Sequence, residues 1–121
     1  MKKNLGLAIM AVLFASNSFA IGLNESKVFN KLNNKSTVNS LSKYLEISQE
    51  QKDQLINVFE LTNVKLNDAL NNEDEIAADK AVWFNLGNAK SILTDKQYRK
   101  YLSAINLTIN SQNDEFYTEN L

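Results

Sequence analysis

Glu73, Asp74, Glu75 and Asp79 form the run in this chain whose residue types and spacing could do chemistry. Clustered carboxylates are hard oxygen donors of the kind calcium and magnesium take. Paired carboxylates are also the machinery of glycoside hydrolysis. Neither chemistry finds its usual frame here. A calcium loop turns on a glycine, and the run contains none. No sugar-binding cleft is recognisable, and a simpler account exists: acids in the first turn of a helix complement the positive end of its dipole. The chain also has no His and no Cys. That removes an imidazole base, a thiolate nucleophile and a soft metal site. The expectation is therefore no enzyme activity, no cofactor and no metal ligands, with a metal-responsive role for the acidic run as an alternative.

Two short strings carry more. Ile47-Ser48-Gln49-Glu50-Gln51 and Leu93-Thr94-Asp95-Lys96-Gln97 each read aliphatic, hydroxyl, two variable residues, glutamine. Each precedes a helix-like apolar pattern, so each reads as a capping box. The Ser or Thr oxygen accepts a backbone N–H, and the Gln three residues on reaches back to the cap's own N–H. Leu93 can pack on Tyr98 as a hydrophobic staple; the first box has Lys52 at that place.

The elements that place these residues are helical. Pro is absent, glycine is scarce, and helix formers dominate. The predicted class is all-α, a four-helix antiparallel bundle or cradle that could dimerise. The first region holds two apolar trios, Val28, Phe29, Leu32 and Val38, Leu41, Leu45, with a break expected at Asn33-Asn34. A second helix over 49–70 carries Leu55, Phe59, Leu66 and Leu70 on one face, with Ile56 and Val58 at its edges. Asn71-Asn72 ends it, and the acidic run opens a third. Ile76, Ala77, Trp83, Phe84, Leu86, Ala89 and Ile92 make that third helix broadly apolar, so it is expected to be the most buried. Trp83 and Phe84 read as core, or else as an anchor for a partner. The fourth helix, capped by Thr94, presents Tyr98, Tyr101, Leu102, Ile105 and Ile109 to the core, with Phe116 at its edge, the tyrosine hydroxyls at the rim and a polar tail after Gln112.

Laying the second helix on the fourth pairs Ile47 with Leu93, Gln51 with Gln97, Ile56 with Leu102, Leu61 with Leu107 and Thr62 with Thr108. The reading is either a weak repeat or two unrelated capped helices. Leu61, Val64 and Leu107 point away from the apolar stripes, as a dimer seam or a binding surface would.

Residues 1–20 read as a secretory signal peptide: Met1-Lys2-Lys3, an apolar stretch of roughly ten residues, then Ser18-Phe19-Ala20. The stretch is too short to span a bilayer, which needs about 20 apolar residues. The expected domain is 21–121, divided as 21–46, 47–92 and 93–121, in a bacterial periplasm or exterior and without a membrane anchor. The whole chain carries 13 Lys+Arg against 14 Asp+Glu. An acidic domain is a poor partner for nucleic acid. The charge is uneven, because Lys27, Lys31, Lys35 and Lys43 lie in a stretch without acids. They are either an ordinary solvated face or a basic segment for an acidic partner.

With its paired boxes, the chain resembles the Spy/CpxP-type periplasmic family, which is marked by two Leu-Thr-x-x-Gln motifs. Leu93, Thr94 and Gln97 match intact; Ile47, Ser48 and Gln51 are a conservative variant. The resemblance implies an antiparallel helical dimer shaped as a shallow cradle, acting as an ATP-independent chaperone or an envelope-stress or metal-stress sensor. Cradle members are markedly basic on the binding face, and this chain departs from that. The resulting expectation is a non-enzymatic protein-binding domain. Clients would be steered by the four lysines and held by Leu61, Val64 and Leu107. A module serving one dedicated envelope partner is the second reading.

Overall fold

A computed structural model describes the backbone of residues 26–119 and the side chains of residues 26–109. The expected signal peptide and the side chain of Phe116 lie outside the described residues. Among the described residues, five helices follow in order: α1 Val28–Lys31, α2 Lys35–Leu45, α3 Gln49–Asn71, α4 Glu75–Ile92 and α5 Asp95–Glu119. Among the described residues there is no strand, and the all-α expectation holds. No described helix is long and apolar enough to cross a membrane.

The first region breaks where the paired asparagines stand. Asn34 leaves the helical conformation, and its Oδ1 accepts the N–H groups of Ser36 and Thr37 at 3.0 and 3.2 Å, capping α2. The ends of α2 and α3 share one solution. After α2, Glu46 N–H donates to Lys43 O and Ile47 N–H to Ser42 O. After α3, Glu73 N–H donates to Leu70 O and Asp74 N–H to Ala69 O. Both are Schellman turns, which need a left-handed residue at their centre. Glu46 and Glu73 fill that place, with φ of 55° and 52°. Asp74 then caps α4 by accepting Ala77 N–H at 3.0 Å.

All five helices feed one core. Val28 and Phe29, Leu41 and Leu45, Leu55, Phe59 and Leu66, Val82 and Leu86, and Tyr98, Tyr101 and Ile105 are buried together. The packing is crossed: α4 lies chiefly on α3, as an antiparallel hairpin, while α2 lies chiefly on α5. Of the two architectures expected, this is the bundle.

Several expectations fail in informative ways. The third predicted helix, α4, is the most enclosed of the long helices, as expected, yet not all of its apolar residues turn inward. Its inner face is built from Ala78, Ala81, Val82, Asn85, Leu86 and Ala89. At 3.6 residues per turn, Ile76 and Trp83 fall on the opposite side and stand in solvent, and Phe84 is half-buried. Hydrophobicity marked Trp83 and Phe84 as core; the face of the helix overrules it for Trp83. The tyrosine hydroxyls are not at the rim, because Tyr98 and Tyr101 are wholly enclosed. The repeat also breaks at its last pair, with Thr62 buried and Thr108 exposed.

Two backbone positions run against local preference and yield a prediction. Glu73 sits where glycine is favoured, and Gly87 sits mid-helix where an added Cβ would meet nothing within 4 Å. Glu73→Gly and Gly87→Ala should therefore each raise stability, by about 0.5–1 kcal/mol, in urea unfolding. A fall in midpoint for either would show that the residue has another role in the fold.

Candidate functional site

The two capping boxes meet. In the first, Ser48 Oγ accepts Gln51 N–H at 3.1 Å and Gln51 Oε1 accepts Ser48 N–H at 2.9 Å. In the second, Thr94 Oγ1 accepts Gln97 N–H at 3.2 Å and Gln97 Oε1 accepts Thr94 N–H at 3.0 Å. The two carboxamides then face each other. Gln51 Nε2 donates to Gln97 Oε1 at 2.8 Å, and Gln97 Nε2 returns to Gln51 Oε1 at 3.5 Å. Each also reaches a carbonyl two residues ahead of the opposite cap. Gln51 Nε2 donates to Ile92 O at 3.2 Å and Gln97 Nε2 to Glu46 O at 3.3 Å. The pattern has an approximate two-fold symmetry, and it ties the starts of α3 and α5 to the ends of α2 and α4. A capping box by itself accepts Glu or Gln. This one needs Gln twice, because only an amide accepts the cap N–H while donating to a facing carbonyl.

Lysines reinforce the same end of the bundle. Lys100 Nζ donates to Tyr44 O at 3.2 Å, lies 5.1 Å from the Tyr44 ring centre and stands 3.7 Å from the Glu46 carboxylate. Lys90 lies 5.2 Å from the Tyr98 ring centre and 3.8 Å from Asp95. Leu93, the intact box's staple residue, is buried in the core with Tyr98. In the first box the place is taken by Lys52, which donates to Asn39 Oδ1 at 2.7 Å.

Further in, a polar chain crosses the core. Tyr101 O–H donates to Asn85 Oδ1, Asn85 Nδ2 to Thr62 Oγ1 at 3.2 Å, and Thr62 O–H to Val58 O at 2.7 Å. All three side chains are fully buried. Buried polar groups are costly unless paired, so this chain fixes the register of α3, α4 and α5. The sequence carries almost no signal for it, since asparagine is common throughout and nothing singles out Asn85. Burial raises the pKa of Tyr98 to about 12 and raises that of Tyr101 as well.

The remaining expected site residues lie on the surface. Lys27, Lys31, Lys35 and Lys43 are exposed, and none forms an ion pair with a described residue. Leu61, Val64 and Leu107 stand 52%, 62% and 64% exposed, joined by Ile76 at 70% and Trp83 at 41%. The acidic run is dispersed by the turn. Glu73 takes the left-handed position, Asp74 caps α4, and Asp79 has its pKa raised by desolvation and by Glu75. Among the described residues, no group of three or more carboxylates is placed to hold a metal ion.

Substitutions at these contacts test the arrangement. Thr94→Ala removes one cap and should cost about 1 kcal/mol. Gln97→Glu keeps the cap but leaves Glu46 O without its donor and sets an anion against Gln51 Oε1, so it should cost about 1–3 kcal/mol. Equal denaturation midpoints for Gln97→Glu and the parent would refute the paired arrangement. Alkaline pH supplies the other test. The folded state holds the Tyr98 proton up to about pH 12, whereas the unfolded chain releases it near pH 10. The unfolded state thus binds fewer protons in that window, and stability falls as pH rises through it. Tyr98→Phe should flatten that loss in pH-resolved urea titrations.

Compared with known proteins, the chain matches no family model, no curated protein and no solved structure. The resemblance to the Spy/CpxP-type family accordingly rests on the two boxes themselves.

Proposed function

We propose that this chain is a non-enzymatic, exported protein-binding domain. It would bind other proteins through apolar side chains held outside a clasped helical bundle. The observation that carries this reading is the exposure of Leu61, Val64, Ile76, Trp83 and Leu107 by helices whose inner faces are otherwise well filled. Large apolar groups in solvent cost free energy unless a partner covers them. Four exposed lysines without partners among the described residues add a charged surface. The paired boxes support a place beside Spy/CpxP-type proteins, and the leader-like residues 1–20 support the periplasm.

Two modes of binding fit. In the first, the domain is a weak, ATP-independent holdase for unfolded chains. In the second it serves one dedicated envelope partner, as a structural or regulatory module. A single core reached by all five helices favours the second, because a cradle would instead leave a concave face between its helices. The test is aggregation of a chemically denatured model protein at low salt, with and without a few molar equivalents of the domain. Suppression of light scattering supports the holdase. No suppression, together with a stoichiometric complex isolated from envelope extract, supports the dedicated partner. Absence of both removes the protein-binding reading.

A further inference from the structure

A groove runs between α2 and α5. Ser36, Thr37, Ser40, Leu41 and Tyr44 of α2 and Ala104 of α5 line it, and it encloses about 370 Å³. The register of its walls is fixed by contacts. α2 ends and α5 begins at the glutamine clasp, where Gln97 reaches Glu46 O, so the two helices run antiparallel. Lys100 closes the groove at that end. Its Nζ donates to Tyr44 O and lies 5.1 Å from the Tyr44 ring centre. One turn on, Ala104 faces Ser40 and Leu41 across the groove. Leu107 follows Ala104 by three residues, so it stands one turn further along the same wall, level with Thr37. Tyr44 and Leu107 are two of the large apolar side chains left in solvent, and this groove lies between them.

The groove has a mixed lining. Leu41, Ala104 and the Tyr44 ring give it an apolar floor, and Ser36, Thr37 and Ser40 give it a hydroxyl rim. Elsewhere Ser42, Thr62 and Thr108 bond the carbonyl one turn back on their own helices. The hydroxyls of Ser36, Thr37 and Ser40 bond no described residue, so they are free to meet a ligand. The walls carry one sign of charge. Residues 35–45 and 96–109 hold Lys35, Lys43, Lys96, Arg99 and Lys100 and no acid. Lys35, Lys43, Lys96 and Arg99 are exposed, and none forms an ion pair with a described residue. The nearest acids are engaged: Glu46 with Lys100 at 3.7 Å and Asp95 with Lys90 at 3.8 Å. The next acid along α5, Asp114, comes about two turns past Leu107. Such walls attract anionic chains and repel cationic ones.

We infer that the α2–α5 groove is the docking site for an acidic protein segment that carries one bulky apolar side chain. That side chain seats on Leu41 and Ala104, between Tyr44 and Leu107. The rim hydroxyls donate to the segment's carbonyls, and its carboxylates meet Lys96 and Lys43 at the Tyr44 end. A chain segment suits the shape better than a small molecule. Small-molecule pockets enclose most of their ligand, whereas this groove is open along one side and its cationic α5 wall runs for roughly 20 Å. The inference rests on the protein-binding reading and gives it a site and a partner chemistry. Leu107 and Lys43 gain a common role in it, and Leu61 and Val64, on α3, take no part.

The test is fluorescence anisotropy of a labelled synthetic peptide, a central Phe flanked by Glu, titrated with the purified protein. Two control peptides replace the Phe by Ser or every Glu by Lys. The expected result is saturable binding of the first peptide that weakens as salt rises, at least tenfold weaker binding of the Ser control, and none of the Lys control. The decisive variant is Leu107→Lys. Its site is exposed, so it should fold with unchanged circular dichroism. It removes an apolar anchor and adds a cation, so the groove predicts roughly tenfold weaker binding, whereas charge attraction alone predicts tighter binding. Equal or tighter binding by this variant overturns the inference, as does equal binding of the Ser control. A dimer of the parent protein that the peptide dissociates would assign the groove to a second copy of the chain and likewise overturn it. The two readings fail separately. If the peptide does not bind but the parent protein suppresses aggregation or captures a partner, the groove is wrong and the protein-binding function stands. If the peptide binds as expected but the parent shows neither activity, the groove stands and the wider function falls.

Discussion

The paired carboxamides of Gln51 and Gln97 are the joint on which the architecture turns. Helix termini leave backbone groups without partners, and four termini meet at this end of the bundle. Two side chains serve all four. Each glutamine closes its own cap, bonds its counterpart, and satisfies a carbonyl at the end of the helix that precedes the other box. The arrangement is demanding because the amides are partly enclosed. A carboxylate there would have acceptors facing it and no proton to give. The paired motif is thus a structural clasp.

The clasp fixes one end, and the polar chain through Thr62, Asn85 and Tyr101 fixes the middle. Between them they leave α3 and α4 little freedom to rotate or slide. Phe59 and Tyr101 stack beside the polar chain with ring centres 6.3 Å apart, and Tyr98 lies against Tyr101 at 6.4 Å. Alanines on the inner face of α4 fill little space, which suits close contact with α3. Two of the large side chains of α4, Trp83 and Ile76, stand on the solvent face, opposite the inner face of alanines, Val82, Leu86 and one amide.

What could be read in advance was what is encoded locally. Helix class, the break at Asn33-Asn34, both caps, the end of α3 at its asparagines and the outward Leu61, Val64 and Leu107 depend on neighbours within about one or two turns. Capping chemistry and helical periodicity act over that range. The apolar trios of the first region were legible for the same reason. The failures share a cause as well. Hydrophobicity assigns Trp83 to the core, but α4 has apolar residues all round, so its pattern does not say which side turns inward. Asn85 was overlooked because a polar side chain becomes a core residue only when Tyr101 and Thr62 arrive from other helices to bond it.

The sequence by itself determined the helices, their boundaries and the two boxes that start α3 and α5, since these follow from hydrogen bonds and side-chain spacing within a few residues. Only the tertiary structure decided that the boxes clasp each other, that a buried polar chain crosses the core, and that the acidic run is spent on a turn and a cap. Only the tertiary structure, too, left Ile76 and Trp83 in solvent. Those outcomes depend on groups brought together from as many as 46 positions apart, and no local rule reaches that far.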